Sequence, residues 1–181
     1  MSMIKTSSKS GFTLVEVLAV IFVITVGVTG VYSLMQTTMT SSNLVSNKLT
    51  ATYLAQEGVE LVRYVRDSNW LEMRGDPDST ISWDQGFPSE SVDEQNYEID
   101  YQELGKDDPD LTPCNGVCRY LEVNDQGYYG YNIGKDTRYK RKIALKNDGD
   151  KIKVKVKVIF NHQGKEYSIK VEENMYKWRG Q

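Results

Sequence analysis

The sequence predicts an α+β protein in which one long N-terminal helix, apolar enough to span a membrane in its first half and amphipathic in its second, packs on a C-terminal antiparallel β-meander. Three observations predict it. From Phe12 to Leu34 the sole ionisable side chain is Glu16. Ala51, Leu54, Ala55, Gly58, Leu61, Val62 and Val65 then recur at the three-four spacing of one helix face. Finally, from Tyr139 to Val171 apolar and polar residues alternate with period two, interrupted by two turn sequences.

The apolar run comes first. As a helix rising about 1.5 Å per residue, it covers the roughly 30 Å of a bilayer's hydrocarbon. A secretory leader has an apolar core of about 7–15 residues followed by a small-x-small cut site. This run is longer, and Val31-Tyr32-Ser33-Leu34-Met35 is a poor site of that kind, so the run is expected to stay on the protein. The attractive cut lies ahead of it, after Gly11, a residue with no side chain. Lys5 and Lys9 precede the span and the next basic residue is Lys48, which places the N-terminus in the cytoplasm and the globular part outside. Glu16 costs on the order of 2.5–3.5 kcal/mol inside a membrane, so it calls for a partner. The expected one is a cation created by processing.

Beyond the span, Thr37-Thr38-Met39-Thr40-Ser41-Ser42-Asn43 forms helix weakly and predicts a bend. The helical stripe then resumes, with Gln56, Glu57, Glu60 and Arg63 on the opposite face. It lacks sustained heptads, so it is expected to face the protein's own sheet rather than an intermolecular coiled coil. A continuous helix from Phe12 to about Trp70 would be on the order of 90 Å long. Met73-Arg74-Gly75-Asp76-Pro77 ends it, and a stretch dense in Asp, Gly, Pro and Ser follows. Within that stretch Tyr97, Ile99 and Tyr101 alternate with polar residues as one strand, and Tyr120-Leu121-Glu122-Val123 forms another. The meander is clearer. Tyr139, Arg141, Ile143 and Leu145 alternate up to Asn147-Asp148-Gly149-Asp150; Ile152, Val154, Val156, Val158 and Phe160 then face one way and Lys151, Lys153, Lys155 and Lys157 the other. After Asn161-His162-Gln163-Gly164, a predicted turn, Tyr167, Ile169 and Val171 complete the sheet.

The chain has 181 residues, room for one modest core beyond a span and stalk, and a net charge of −3 with no basic excess. Cys114 and Cys118 form Cys-Asn-Gly-Val-Cys in the outside portion, a disulfide closing a very small loop or, alternatively, two free thiols. With one His in the chain, no metal site is expected. The lysine row reads as a solvated face that Glu90, Glu94, Glu98, Asp100 and Glu103 neutralise, and without interleaved aromatics nucleic acid is not an expected partner. Asp107-Asp108-Pro109-Asp110 and Asp148-Gly149-Asp150 lack the spacing of a calcium loop and read as turns. His162 has no visible nucleophile or orienting partner. No catalytic motif is present, so neither an enzyme nor a cofactor is expected.

Gly11, Phe12, Thr13, Leu14 and Glu16 fall where the type IV prepilin signal has them, and the chain's start resembles that family. The resemblance implies cleavage after Gly11 by a prepilin peptidase, N-methylation of the new terminus Phe12, and assembly through an N-terminal helix in which Glu16, the fifth residue of the mature chain, attracts the terminal ammonium of a neighbouring subunit. It organises the chain as a leader over 1–11, a transmembrane and assembly helix over 12–34, an extracytoplasmic amphipathic helix over 35–73, a loop-rich variable region with short strands over 74–138, and the meander over 139–178. Leu54-Ala55-Gln56-Glu57-Gly58-Val59-Glu60-Leu61-Val62-Arg63, Arg66-Asp67-Ser68-Asn69-Trp70 and Met175-Tyr176-Lys177-Trp178 resemble, more narrowly, the V-type pilus modification proteins, or minor pilins. Many major pilins carry a proline within the apolar helix, whereas this span has none and offers Gly27 and Gly30, which weighs against a major subunit. The resemblance thus implies a structural subunit of a type IV pilus or related filament. Its expected partners are the prepilin peptidase and methyltransferase, other pilin subunits, the assembly machinery and the cytoplasmic membrane. A pseudopilin of a type II secretion or DNA-uptake machine, and a membrane-anchored surface-binding protein that never polymerises, are the alternatives.

Overall fold

A computed structural model of the chain describes residues 11–75, 80–90, 92–106, 111–114 and 118–177. Lys5, Lys9, most of the leader, Asp107–Asp110 and Trp178 lie outside the described residues. The elements are one helix, α1 (Leu14–Gly75), and seven strands: β1 (Gln95–Glu98), β2 (Thr112–Pro113), β3 (Tyr120–Val123), β4 (Tyr129–Gly130), β5 (Lys135–Asn147), β6 (Lys151–His162) and β7 (Lys165–Tyr176). This is the expected α+β, pilin-like arrangement. The chain divides into two compact units at Val45 and Ser46.

In the first unit, the part of α1 up to Val45 is long and apolar enough to cross a membrane, and its apolar side chains are exposed. Its hydroxyls are spent on its own backbone. Thr25 donates to the carbonyl of Ile21 at 2.7 Å, Thr29 to that of Thr25, and Thr37 and Thr38 to those of Ser33 and Leu34 at 3.0 and 2.9 Å. These back-bonds satisfy donors that hydrocarbon would leave stranded. The hydroxyl-rich run 37–43 is α-helical, and α1 is uninterrupted there.

The second unit packs the rest of α1 on the sheet. The stripe of Ala51, Leu54, Ala55, Gly58, Leu61, Val62 and Val65, joined by Val59 and Asn69, is buried. Opposite it, Ile152, Val154, Val156, Val158 and Phe160 of β6 are almost wholly shielded. The closest approach is at Gly58, where a Cβ would stand 2.9 Å from Cγ1 of Val156 and 3.0 Å from Cδ of Arg141. Arg141 belongs to the core parity of β5 and is fully buried. Its guanidinium donates to the carbonyls of Leu54 (3.3 Å) and Ile99 (2.6 Å) and to Glu57 (3.1 Å), pinning helix and loop to the sheet. On the far side, Arg63 donates to both carboxylate oxygens of Glu173 on β7 at 2.7 Å.

The sheet is larger than the meander the alternation predicts. One edge of β5 pairs along β6 from Asn147↔Ile152 to Tyr139↔Phe160; its other edge is shared by β1, at Leu145 to Ile143, and β3, at Lys140 to Lys135. The meander accordingly starts at Lys135, four residues before Tyr139, because β3 extends the ladder. The expected strand through Tyr97, Ile99 and Tyr101 stops at Glu98. Asp100 ends it by accepting from the backbone N–H of Gln102 at 2.9 Å, which caps a 3₁₀ turn over Tyr101–Glu103. Likewise His162 is the last residue of β6, and the turn is Gln163-Gly164, both at positive φ (51° and 76°), as a type I′ hairpin requires.

Candidate functional site

The first turn of α1 is built by Thr13. Its carbonyl accepts from the N–H of Val17 at 3.2 Å, and its hydroxyl accepts from the N–H of Glu16 at 3.3 Å. Thr13 is therefore the N-cap and Glu16 the third residue of the helix, the spacing of a Thr-x-x-Glu capping box with its threonine half formed. The Thr-x-x-Glu spacing carries this signal in the sequence, where the family resemblance singles out Thr13 as a motif residue alone. The cap fixes Glu16 at the positive end of the helix dipole, where a carboxylate is favoured by about 0.3–1 kcal/mol at exposed sites and more where water is scarce. Phe12, Leu14 and Val15 around it are 80, 78 and 74% exposed. A Cβ at Gly11 would meet nothing within 4 Å. No packing among the described residues asks for glycine there, nor for apolar side chains at 12, 14 and 15.

Elsewhere several polar residues engage one another. Cys114 and Cys118 are joined as a disulfide, Cα–Cα 5.0 Å. The carboxylate of Glu98 lies within 4.8 Å of both sulfurs, but it accepts from the backbone N–H of Arg119 and, at 2.8 Å, from its Nε. With the sulfurs bonded to each other and the carboxylate engaged, this trio is no ligand set for a metal. Asp100 accepts from the N–H of Tyr131 at 2.7 Å, and the Arg119 guanidinium lies 4.8 Å over the Tyr131 ring. Burial pushes the Tyr131 phenol up to about 12, so it stays protonated at neutral pH. His162 meets Asn47 at Nδ1 (3.2 Å), and Asn47 in turn accepts from Tyr139 (3.2 Å). That chain of contacts ties α1 to the β6–β7 end of the sheet, and no nucleophile stands beside the imidazole.

At the N-terminal end of α1, Phe12, Leu14 and Val15, beside Glu16 in sequence, stay exposed. Residues 6–32 match the family model of the prokaryotic N-terminal methylation motif. The chain carries the type IV prepilin signal. This prepilin signal covers Gly11, Phe12, Thr13, Leu14 and Glu16 and marks a type IV pilin-like or pseudopilin protein, a structural class anchored through an apolar N-terminal helix. No curated protein and no solved structure matches the chain.

Proposed function

We propose that the protein is a minor-pilin-like structural subunit that is inserted in the cytoplasmic membrane with its N-terminus inside, cut after Gly11, methylated on Phe12 and assembled through α1 into a type IV pilus or related filament. The observation that carries this reading is a motif whose glycine and apolar side chains pack against no described residue. Gly11, Phe12, Leu14 and Val15 are bare in the single chain, as expected if a peptidase and then neighbouring helices read them. The Thr13 cap contributes by holding Glu16 one turn from the terminus, where its charge is placed before any neighbour arrives. After the cut, the ammonium of Phe12 is the cation that a neighbouring subunit offers to Glu16, and in a poorly solvated setting the pair attracts strongly.

Glu16→Ala tests the assembly role. The variant inserts in the membrane at least as well as wild type and is still cut after Gly11, because cleavage depends on the residues flanking the bond. It is depleted from sheared filaments and accumulates processed in the membrane. A tenfold depletion corresponds to only about 1.4 kcal/mol of lost interaction. Immunoblots of membrane and filament fractions, normalised to processed protein, measure it, and equal incorporation of variant and wild type would refute the recruiting role of Glu16.

A further inference from the structure

The sheet face turned away from α1 carries positive charge that the described residues neutralise only in part. Across β5, β6 and β7, Lys142 stands directly opposite Lys157, and Lys157 directly opposite Lys170; beyond the intervening pair of Ala144 and Lys155, Lys146 stands opposite Lys153. Like charges facing each other across strands oppose sheet formation. The acids expected to neutralise the lysines are mostly engaged elsewhere: Glu98 with Arg119, Asp100 with backbone N–H groups of Gln102 and Tyr131, Glu103 with Lys106. Of these acids, Glu94 pairs with the row, at Lys155. Asp148 serves both Lys146 (3.8 Å) and Lys153 (3.0 Å), and Glu172 serves Lys170. Lys142 and Lys157 have no ion pair with a described residue. The net charge of −3 conceals this polarity, since residues 76–138 hold 15 Asp and Glu against 4 Lys and Arg while residues 139–181 hold 5 against 12.

We infer that this outward face of β5–β7 is a docking surface for the phosphate backbone of a nucleic-acid duplex. Successive outward side chains on a strand are roughly 6.8 Å apart and neighbouring strands about 4.8 Å apart, so the lysines form a flat lattice of charge. A duplex presents one negative charge per roughly 1.7 Å of its axis to such a lattice and requires no base contact. A protein partner would need a central aromatic or large apolar anchor, and among the paired positions of this face the apolar side chains besides Tyr120 and Tyr176 are Ala144 and a half-buried Ile159 flanked by Lys140 and Ser168. A single strand would need stacking platforms, yet the two tyrosines here stand at the margins: Tyr120 lies beneath Lys140 (4.5 Å), and Tyr176 is at the end of β7. Binding is therefore independent of base sequence and steeply dependent on salt. It does not rest on filament assembly, since the face belongs to a single subunit.

The test is titration of a fluorescent 20-base-pair duplex with the full chain in a non-ionic detergent, over a series of salt concentrations. Wild type binds at 50 mM salt, and the affinity falls as salt rises. Lys142→Gln/Lys157→Gln/Lys170→Gln binds at least tenfold more weakly, and its log–log salt slope is shallower by about 2–3, close to 0.9 for each phosphate no longer neutralised. Lys48→Gln/Lys106→Gln/Lys165→Gln, which removes equal charge from outside the face, binds within about twofold of wild type. Replacing the three face lysines with arginine preserves binding and so separates lost charge from lost fold. The proposal is overturned if wild type fails to bind at 50 mM salt, if the two glutamine triples weaken binding equally, if the arginine triple also loses it, or if a sulfated polysaccharide of equal charge competes more strongly than unlabelled duplex. Glu16→Ala binds the duplex like wild type, so failure here and failure of the filament reading are distinguishable.

Discussion

Replacing Gly58 by alanine sets two effects of similar size against each other. Alanine is favoured over glycine in a helix interior by about 0.8–1.0 kcal/mol. Against that, the new methyl carbon would stand 2.9 Å from Cγ1 and 3.4 Å from Cγ2 of Val156, and 3.0 Å from Cδ of Arg141. Neither neighbour yields easily: Val156 is a fully buried β-branched residue in the middle of β6, and the Arg141 side chain is held by its three acceptors. Overpacking at such a site costs about 1–3 kcal/mol, so the net effect is a loss of about 1 kcal/mol, or a fall in melting temperature of roughly 3–5 °C for a domain of this size. Denaturant unfolding of the full chain in a non-ionic detergent, followed by the fluorescence of buried Trp83, measures it. Val156→Ala alone costs about 2 kcal/mol through the cavity it leaves, but in that background Gly58→Ala becomes neutral or stabilising, and the cycle shows a coupling of about 1 kcal/mol or more. A Gly58→Ala protein at least as stable as wild type, with no coupling to Val156, would refute the close approach of α1 to β6.

Gly11→Val is predicted to leave an uncut precursor with unchanged folding, since no described atom lies within 4 Å of an added Cβ; mass spectrometry should find wild type starting at Phe12, and a start at Met1 would overturn the processing scheme. The exported protein should lose two free thiols to the Cys114–Cys118 disulfide and regain them on reduction, read as alkylation by intact mass. The backbone N–H groups of Gly134, foremost, and Ile133 hold the Glu122 carboxyl below the usual glutamate range. A depressed folded-state pKa stabilises above the unfolded value and is lost as pH falls through the folded one. Below roughly pH 4.3, the β3–β5 junction should loosen, and the protection of the Ile133 and Gly134 amides relative to their intrinsic exchange rates should fall in wild type but be already low and independent of pH in Glu122→Gln.

Much of this protein is written locally. The apolar span, the Ala51–Val65 stripe and the alternation of β6 each follow from a period that a single element imposes on its own residues, and the signal at Gly11–Glu16 is contiguous because whatever reads it meets an extended segment and one helical turn. Arg141 was legible in position, since it keeps the core parity of β5, but its burial depends on carbonyls 87 and 42 residues away. The fate of the acids was likewise a tertiary matter. Glu98 and Asp100 sit beside the lysine row in composition, yet the end of β1 turns them toward Arg119 and the Tyr131 backbone. Strand register then decided the rest. Alternation says that Lys157 faces outward, whereas only pairing with β5 and β7 sets Lys142 and Lys170 directly against it. A repulsion of that kind arises between strands and has no signature along any one of them.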